Sequence, residues 1–256
     1  SHDDIKAEML SGSLNRVEGQ DVGAYDITLG TLSLVDPYSN NYSIVFNKSQ
    51  FTINKATLTI TNISIDNKEY DATADGVIST SGSYYLSGTF DGDSETDVYL
   101  DLSQATAVFN TFVVGTNIDV ILSGYELKGP RAFNYDVQTP PPYKADIDKR
   151  QLDISAHSVS RVYDPNHSDG VLDYDINIED LNVLETEFAT EELSEIKGKF
   201  NGALSRTGTN NAGSYTVQQG TLGIADPGIG NFNTSNYSIN FTTAEYNISQ
   251  YQLDVS

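Results

Sequence analysis

Four acidic side chains recur at every second position within the stretch DGDSETDVYLD, which begins at position 91. Asp91, Asp93, Glu95 and Asp97 alternate with small or hydroxyl-bearing residues around an early glycine. Calcium favours this chemistry, since it takes roughly six to eight oxygen ligands on a flexible turn. The stretch is not an EF-hand, because its glycine comes too early and no glutamate closes the loop. It predicts a candidate calcium site, with an acidic hairpin tip that faces water as the open alternative.

Residues for other site chemistry are scarce. The chain has no cysteine and only three histidines, His2, His157 and His167, and no metalloprotease or nucleotide-binding motif occurs. Carboxylates are plentiful, but acid–base catalysis needs a cleft that isolates two of them. We therefore expect a protein that is not an enzyme and that carries no cofactor other than the calcium considered above.

The charge balance disfavours two classes of partner. The chain contains 14 Lys and Arg against 36 Asp and Glu, a formal net charge of −22. Such a chain repels phosphate backbones and anionic lipid surfaces. No apolar run approaches the ~18 residues that a membrane helix needs. The composition predicts neither nucleic-acid binding nor membrane insertion.

Alternation of apolar and polar residues at period two, broken by Asp-Gly, Asp-Pro and Pro-Pro-Pro turns, recurs along the chain and predicts an all-β fold. One stretch breaks this pattern, since Leu181–Phe200 is rich in Glu and Leu and predicts at most one short helix. The predicted strands lie at Ala24–Val35, Asn41–Phe46, Ala56–Ile65, Asp97–Leu102, Ile118–Gly124 and Asn236–Phe241.

Two distant stretches share one sequence pattern. Gly12–Pro37 aligns with Gly202–Pro227 without a gap, and the similarity resumes at Asn41-Tyr42-Ser43-Ile44 and Asn236-Tyr237-Ser238-Ile239. A looser copy begins at Asn134-Tyr135. Each copy passes through a very short linker into a new Leu-x-Ile or Leu-x-Val strand, at Leu58, Leu152 and Leu253. The chain therefore reads as an array of modules: a partial first segment, 1–57, a second segment, 58–151, and a third segment, 152–256, which includes the start of a following strand.

Tyrosines recur at fixed places in these segments, among them Tyr25, Tyr215, Tyr70 and Tyr163. One interpretation is a row of aromatic platforms for sugars. The favoured interpretation is packing, with each ring closing a thin core and its hydroxyl reaching a backbone group.

The landmarks of the second segment resemble the YDG repeat of bacterial surface proteins. The resemblance rests on LTITNISIDNKEYDATADGVIS from Leu58 and on ATAVFNTFVVGTNIDVILSGYELKGPRAFNYDV from Ala105. The first and third segments resemble the MBG repeat, through Leu14–Ile53, VYDPNHSDGVLDYDI from Val162 and LSRTGTNNAGSYTVQQGTL from Leu204. The resemblance implies tandem immunoglobulin-like β-sandwich modules arranged end to end.

The same resemblance implies an extracellular place at a bacterial cell surface. Repeats of this type usually form the stalks of adhesins and filamentous-haemagglutinin-like exoproteins. We expect a segment that spaces a distal binding domain from the cell, with neighbouring modules of the same chain as its partners. The alternative is a region that binds host glycan or protein directly, with the acidic insertion at Leu181–Phe200 as the feature to test.

Overall fold

The computed structural model describes residues 7–79, 81–90, 92–167, 169, 171–176, 200–225 and 234–255. In these residues the fold is all-β, as predicted, and contains no α-helix. None of them forms a helix long and apolar enough to cross a membrane. The predicted helix within Leu181–Phe200 falls almost wholly outside the described residues.

The strands are short and are numbered in chain order. In the first half they are β1 (Leu10–Ser11), β2 (Asn15–Arg16), β3 (Gly23–Thr28), β4 (Ser33–Leu34), β5 (Gln50–Ile53), β6 (Ala56–Thr61), β7 (Lys68–Glu69), β8 (Asp75–Gly76), β9 (Tyr85–Ser87), β10 (Tyr99–Asp101), β11 (Thr106–Phe109) and β12 (Gly115–Ser123). In the second half they are β13 (Glu126–Lys128), β14 (Tyr135–Val137), β15 (Tyr143–Asp148), β16 (Arg150–Ala156), β17 (Val159–Val162), β18 (Tyr174–Ile176), β19 (Phe200–Asn201), β20 (Ser205–Arg206), β21 (Gly213–Gln218), β22 (Gly223–Ile224), β23 (Tyr237–Thr242) and β24 (Ala244–Ser249). Short 3-10 helices cover Ala7–Met9, Tyr38–Asn40, Ala132–Asn134 and Thr234–Asn236.

The chain forms two compact units. The first comprises the described residues within Ser1–Ile63, Thr80–Ala105 and Ser123–Pro141. It contains the sheets β2-β3-β5 and β14-β6-β9 and the strand pairs β1-β4 and β10-β13. A small core of Leu58, Val98 and Tyr135 lies beside β6 and β14.

The second unit comprises the described residues within Ser64–Ser79, Thr106–Leu122 and Pro142–Ser256. Its sheets have the orders β7-β15-β12-β11-β8, β18-β16-β23 and β17-β24-β21-β20, with the pair β19-β22. Its largest core joins Tyr70, Phe109 and Val120 from the second segment to Leu152 and Tyr237 from the third. Apolar side chains of two segments therefore share one buried core.

One strand register recurs in all three segments. A strand that begins at a glycine pairs antiparallel with the strand that ends the segment, and the glycine faces an isoleucine each time. The pairs are Gly23 with Ile53, Gly115 with Ile147, and Gly213 with Ile248. The predicted third copy is thus present in the strand pairing as well as in the sequence.

A second pairing joins the beginning and the end of the later segments. Strand β6 pairs in parallel with β14, which places Tyr135 opposite Ala56 and Val137 opposite Leu58. Strand β16 pairs in parallel with β23 in the same arrangement, with Leu152 opposite Ile239. Both Leu58 and Leu152 are 0% exposed. In the second and third segments, the Leu-x-Ile strand is therefore paired with the Asn-Tyr strand of the same segment.

The predicted strand at Asn41–Phe46 is wrong for this structure. Residues 41–49 contain no strand, although their counterpart at Tyr237 opens β23. A strand requires a hydrogen-bonded neighbour. In the second and third segments that neighbour is the Leu-x-Ile strand, and residues 7–55 include no such strand.

The glycine that opens the long repeat has the same backbone conformation in both copies. Gly12 and Gly202 have φ angles of 86° and 83°, within the left-handed region. A Cβ atom on either glycine would lie 2.2 or 2.0 Å from the carbonyl oxygen of the threonine beside it, Thr31 or Thr221. Only glycine fits this approach, which accounts for its presence at the start of both copies.

Candidate functional sites

The predicted calcium loop lies between β9 and β10 in the first unit. Asp93 accepts a hydrogen bond of 2.5 Å from the Tyr135 hydroxyl, and its other carboxylate oxygen lies 3.4 Å from Nε of Arg131. The Ser94 hydroxyl and amide donate to Asp97 at 2.6 and 2.8 Å. These hydrogen bonds hold the pKa of Asp97 below its usual range. Two of the four predicted ligands therefore contribute to local turn structure.

The calcium assignment to Asp91, Asp93, Glu95 and Asp97 stays a prediction, since Asp91 lies outside the described residues. Among the described residues, no group of three or more His, Asp or Glu side chains could hold a metal. A cation bound to Asp93 would have to displace the Arg131 guanidinium, or bind the carboxylate together with it. Thermal unfolding in EDTA and in calcium at equal ionic strength decides the matter, because a ligand of the folded state raises the midpoint. A rise abolished by Asp91→Ala with Asp93→Ala would support the site, and an unchanged midpoint would contradict it.

An arginine stacked on a tyrosine occurs in both copies of the long repeat. The guanidinium carbon of Arg16 lies 5.1 Å from the centre of the Tyr25 ring, and that of Arg206 lies 5.3 Å from the Tyr215 ring. Each tyrosine hydroxyl donates to the carbonyl four residues earlier in the chain, at 2.6 Å for Tyr25 and 2.8 Å for Tyr215. For these two tyrosines, the predicted bond from hydroxyl to backbone is confirmed.

In the third segment, this stack extends into a network of charges. Arg206 Nε donates to Asp169 at 2.6 Å, and the Tyr246 hydroxyl donates to the other oxygen of Asp169 at 2.6 Å. Arg161 Nε in turn donates to the Tyr246 hydroxyl at 2.9 Å. Arg206 also stacks on Tyr246, at 4.9 Å from the ring centre. In the first segment, Phe51 takes the place of Tyr246 beneath Arg16.

The Asp169 network is arranged to fix structure. Both carboxylate oxygens of Asp169 are occupied by donors from this chain, and the arginine side chains are 11% and 8% exposed. Burial opposes the ionisation of Asp169, but the hydrogen bonds from Tyr246 and Arg206 and the positive charges of Arg206 and Arg161 outweigh it and lower its pKa. A carboxylate held in this way is a poor proton acceptor, so the geometry does not favour acid–base catalysis here.

The lowered pKa of Asp169 predicts an acid-sensitive contribution to folding. The carboxylate stabilises the folded state above its unfolded pKa of about 3.9, and this stability is lost as the pH falls through the folded pKa. Asp169→Asn should therefore lower the free energy of unfolding at pH 7 and flatten its fall below about pH 4. Urea unfolding from pH 7 to pH 2.5 measures this. Equal acid sensitivity in variant and wild type would contradict the prediction.

Two asparagines join neighbouring segments through backbone amides. The Asn134 side-chain oxygen accepts from the Val22 amide at 2.7 Å, which links the second segment to the first. The Asn236 oxygen accepts from the Val114 amide at 3.1 Å, which links the third segment to the second. Each asparagine ends a 3-10 helix and precedes the tyrosine of the Asn-Tyr strand. The two valines whose amides donate these bonds each precede the glycine that opens β3 or β12.

The first of these links has an added acceptor. Asp21 accepts from the Asn134 amide group at 2.9 Å and lies 3.3 Å from the Arg131 guanidinium. At the second link, the position of Asp21 is taken by Val113, and the buried Nδ2 of Asn236 has no hydrogen-bond partner among the described residues. The bond from backbone amide to asparagine oxygen is therefore the shared part of the link.

Removal of the Asn236 side chain should loosen the second link. Asn236→Ala leaves the Val114 amide without its acceptor, and we expect a loss of about 1–2 kcal/mol with faster hydrogen exchange at Val114. Asn240→Ala is the matched control, because Asn240 lies on β23, the strand that follows Asn236, and is exposed. Hydrogen exchange followed by NMR tests this expectation. Unchanged exchange at Val114 in Asn236→Ala would show that the bond contributes nothing.

In the sequence, these asparagines are recognisable only because an Asn-Tyr pair recurs in each segment. Their partners lie more than a hundred residues away, so no local pattern identifies them. The signal available was the valine or alanine before each strand-opening glycine, at Val22, Val114 and Ala212. Arg16 and Arg206 occupy equivalent positions of the long repeat, but repetition alone does not indicate what a side chain contacts.

Comparison with known families gives one match. Residues 54–142 match the YDG domain. The YDG part of the resemblance is therefore confirmed over most of the second segment. No curated protein and no solved structure matches the chain.

Proposed function

We propose that the chain is a structural stalk segment of a bacterial surface adhesin or large exoprotein, without catalytic activity. The observation that carries the proposal is the pair of asparagine links, in which Asn134 and Asn236 each accept an amide of the preceding segment. A stalk requires successive modules that do not swing freely about their linkers. At each junction, a hydrogen bond from a backbone amide to an asparagine side chain contributes to that restraint.

Apolar packing adds to this restraint in the second unit. Tyr70 of the second segment and Tyr237 of the third pack edge to face, with ring centres 5.4 Å apart at an angle of 81°. Both rings are nearly fully buried, at 1% and 3% exposed. Sliding or bending at this junction would expose the two rings to water, at a cost that grows with the apolar area uncovered.

The finer assignments belong to the same proposal. The first and third segments are MBG-type modules, all three segments have immunoglobulin-like strand arrangements, and the protein acts outside the cell. Support comes from the resemblance, from the shared glycine–isoleucine register and from the confirmed YDG match beside them. The net charge of −22 fits this role, because like charge keeps neighbouring stalks apart.

Surface display tests the spacer function. The chain is placed between a membrane anchor and a fluorescent reporter domain, and energy transfer to a dye in the membrane measures the reporter's height. We expect a greater height than with a Gly/Ser linker of equal residue number, which behaves as a random coil. The double variant Asn134→Ala with Asn236→Ala should lower the reporter. A height equal to that of the flexible linker would refute the spacer role.

The same chain also tests the alternative of direct ligand binding. Arrays of host glycans and matrix proteins are probed with the 256-residue chain. We expect no saturable binding. Saturable binding that is lost when the acidic insertion at Leu181–Phe200 is trimmed would favour the ligand-binding role instead.

A further inference from the structure

A cleft of about 590 Å³ lies in the first unit, beside β9 and β10. Its apolar part is lined by Leu86, Val98 and Leu100, and the last two of these are each 2% exposed. The volume lies within the roughly 300–1,000 Å³ that is usual for ligand sites. Every lining residue falls within 84–100, in the middle of the second segment, so this segment forms the cleft alone.

Three tyrosines line the same cleft and are exposed to solvent. Tyr84, Tyr85 and Tyr99 are 38%, 52% and 46% exposed. The Tyr84 hydroxyl donates to the Leu100 carbonyl at 2.9 Å, which fixes the position of this ring. The hydroxyls of Tyr85 and Tyr99 make no hydrogen bond to other described residues. These two rings and their hydroxyls are therefore available to a ligand.

Tyr85 is not one of the tyrosines that recur in every segment. It lies opposite Thr61 in the pairing of β9 with β6. In the third segment the residue equivalent to Thr61 is Ser155, and Asp175 lies opposite it. A tyrosine required for the packing of each segment should be present at both places. Packing of the shared fold therefore does not account for Tyr85.

Two carboxylates lie beside these rings. Asp93 and Glu95 both line the cleft, and Asp93 is already bonded to side chains of its own unit. Glu95 is exposed and has no ion-pair partner among the described residues. Its loop is held by hydrogen bonds, since the Asp97 amide donates to the Ser94 carbonyl at 2.9 Å and the Ser94 hydroxyl donates to the Asp97 carboxylate at 2.6 Å. A carboxylate beside exposed aromatic rings favours a cationic ligand.

We propose that this cleft binds an oligosaccharide whose sugars carry free amino groups. The apolar faces of its rings pack on Tyr85 and Tyr99, its hydroxyls bond to the tyrosine hydroxyls, and an ammonium group pairs with Glu95. The tyrosines favour a ring with apolar faces, and the carboxylate favours positive charge. A metal ion or a neutral sugar would satisfy only one of these two features. The net charge of −22 adds a long-range attraction for a cation.

This ligand differs from the host glycans considered above. The amino sugars of host glycans are acetylated or sulfated and carry no free ammonium group, so the result expected from the host arrays is unaffected. The inference does not depend on the proposed stalk role either, because a spacer keeps its length whether or not a cleft on one of its modules is occupied.

Isothermal titration calorimetry with the 256-residue chain tests the proposal. The probe is a glucosamine hexamer, and the N-acetylglucosamine hexamer is its comparison, because it has the same rings without the charge. The titration is run at about pH 5.5, where the carboxylates are ionised and the amino groups protonated. EDTA removes calcium, and salt of about 0.15 M screens the attraction of distant charges. We expect saturable binding of the glucosamine hexamer and at least about tenfold weaker binding of the acetylated hexamer.

Two variants of the cleft separate the rings from the charge. Tyr85→Ala with Tyr99→Ala should weaken binding of the glucosamine hexamer at least about tenfold. Glu95→Gln should weaken it by a similar factor but leave binding of the acetylated hexamer unchanged. The matched controls are Tyr42→Ala and Glu18→Gln, which change exposed residues of the same types outside the cleft and should bind like the wild type. Hydrogen exchange at the β6 and β10 amides checks that every variant keeps its fold.

Several results would overturn the proposal. One is the lack of saturable binding of the glucosamine hexamer, and another is binding that both cleft variants leave unchanged. Equal weakening by Glu18→Gln and Glu95→Gln would mean that the hexamer is attracted by the net charge alone. Spermine is the final probe, because it carries ammonium groups without sugar rings, and it should bind at least about tenfold more weakly than the glucosamine hexamer. Equally tight binding of spermine would overturn the assignment of a saccharide.

Discussion

Arg206→Ala should destabilise the second unit by about 2–4 kcal/mol, because it removes a hydrogen bond to a charged carboxylate and the stacking of a cation on two tyrosine rings. The Arg206 side chain is 8% exposed, donates to Asp169 and stacks on Tyr215 and Tyr246. Its loss leaves Asp169 with the hydrogen bond from the Tyr246 hydroxyl and with the Arg161 guanidinium, 3.6 Å away. Urea unfolding, with hydrogen exchange to separate the two units, measures the effect.

Arg16→Ala is the matched control for this variant. Arg16 occupies the equivalent place in the first segment, where it stacks on Tyr25 and Phe51 and donates to the carbonyls of Val17 and Gly19. Its truncation removes stacking and hydrogen bonds to carbonyls, and we expect a loss of about 1–2 kcal/mol. Equal losses for the two arginines would show that the Asp169 ion pair adds nothing to the stack.

Leu152→Ala should cost about 2–5 kcal/mol, through lost apolar burial and the cavity left behind. Leu152 is 0% exposed and belongs to the core that joins the second and third segments. The variant therefore weakens the junction as well as the third segment. We expect hydrogen exchange to speed up at β12 and at β23, which lie in different segments of the same unit.

Leu253→Ala truncates the leucine that is equivalent to Leu152 in sequence but is exposed to solvent. Leu253 is 81% exposed, so its truncation should change the stability of a dilute solution by about 0.5 kcal/mol or less. Unfolding of both variants at low protein concentration gives the comparison. A large loss from Leu253→Ala under these conditions would contradict the exposed position of this side chain.

Period-two alternation correctly located β3, β4, β6, β10, β12 and β23, because it records which side of a strand faces a core. Leu58 and Ile60 in β6, and Val120 and Leu122 in β12, are buried at alternate positions as expected. The predicted strand Ala24–Val35 is divided, however, into β3 and β4. Gly30 has a φ angle of 59° and turns the chain between them. Alternation continues on both sides of a turn, so periodicity alone does not reveal it.

The junctions could not be predicted for a different reason. Asn134 and Asn236 act through side-chain oxygens on amides that are distant in sequence, and an asparagine that binds an amide resembles any turn asparagine in a single sequence. The charge network has the same limitation. Asp169 lies in a turn-like stretch and reads as a solvated acid until the fold brings Arg206 and Tyr246 to it.

The asparagine links have a consequence for how such arrays evolve. Each asparagine binds a main-chain N–H, which every residue except proline presents. The side chain of the donor residue takes no part in the bond. Valine donates at both links, although the residues before it differ. This hydrogen bond does not require the two sides of a junction to change together. Duplication, deletion or exchange of whole modules therefore preserves this hydrogen bond wherever the incoming module presents a main-chain N–H at the same place.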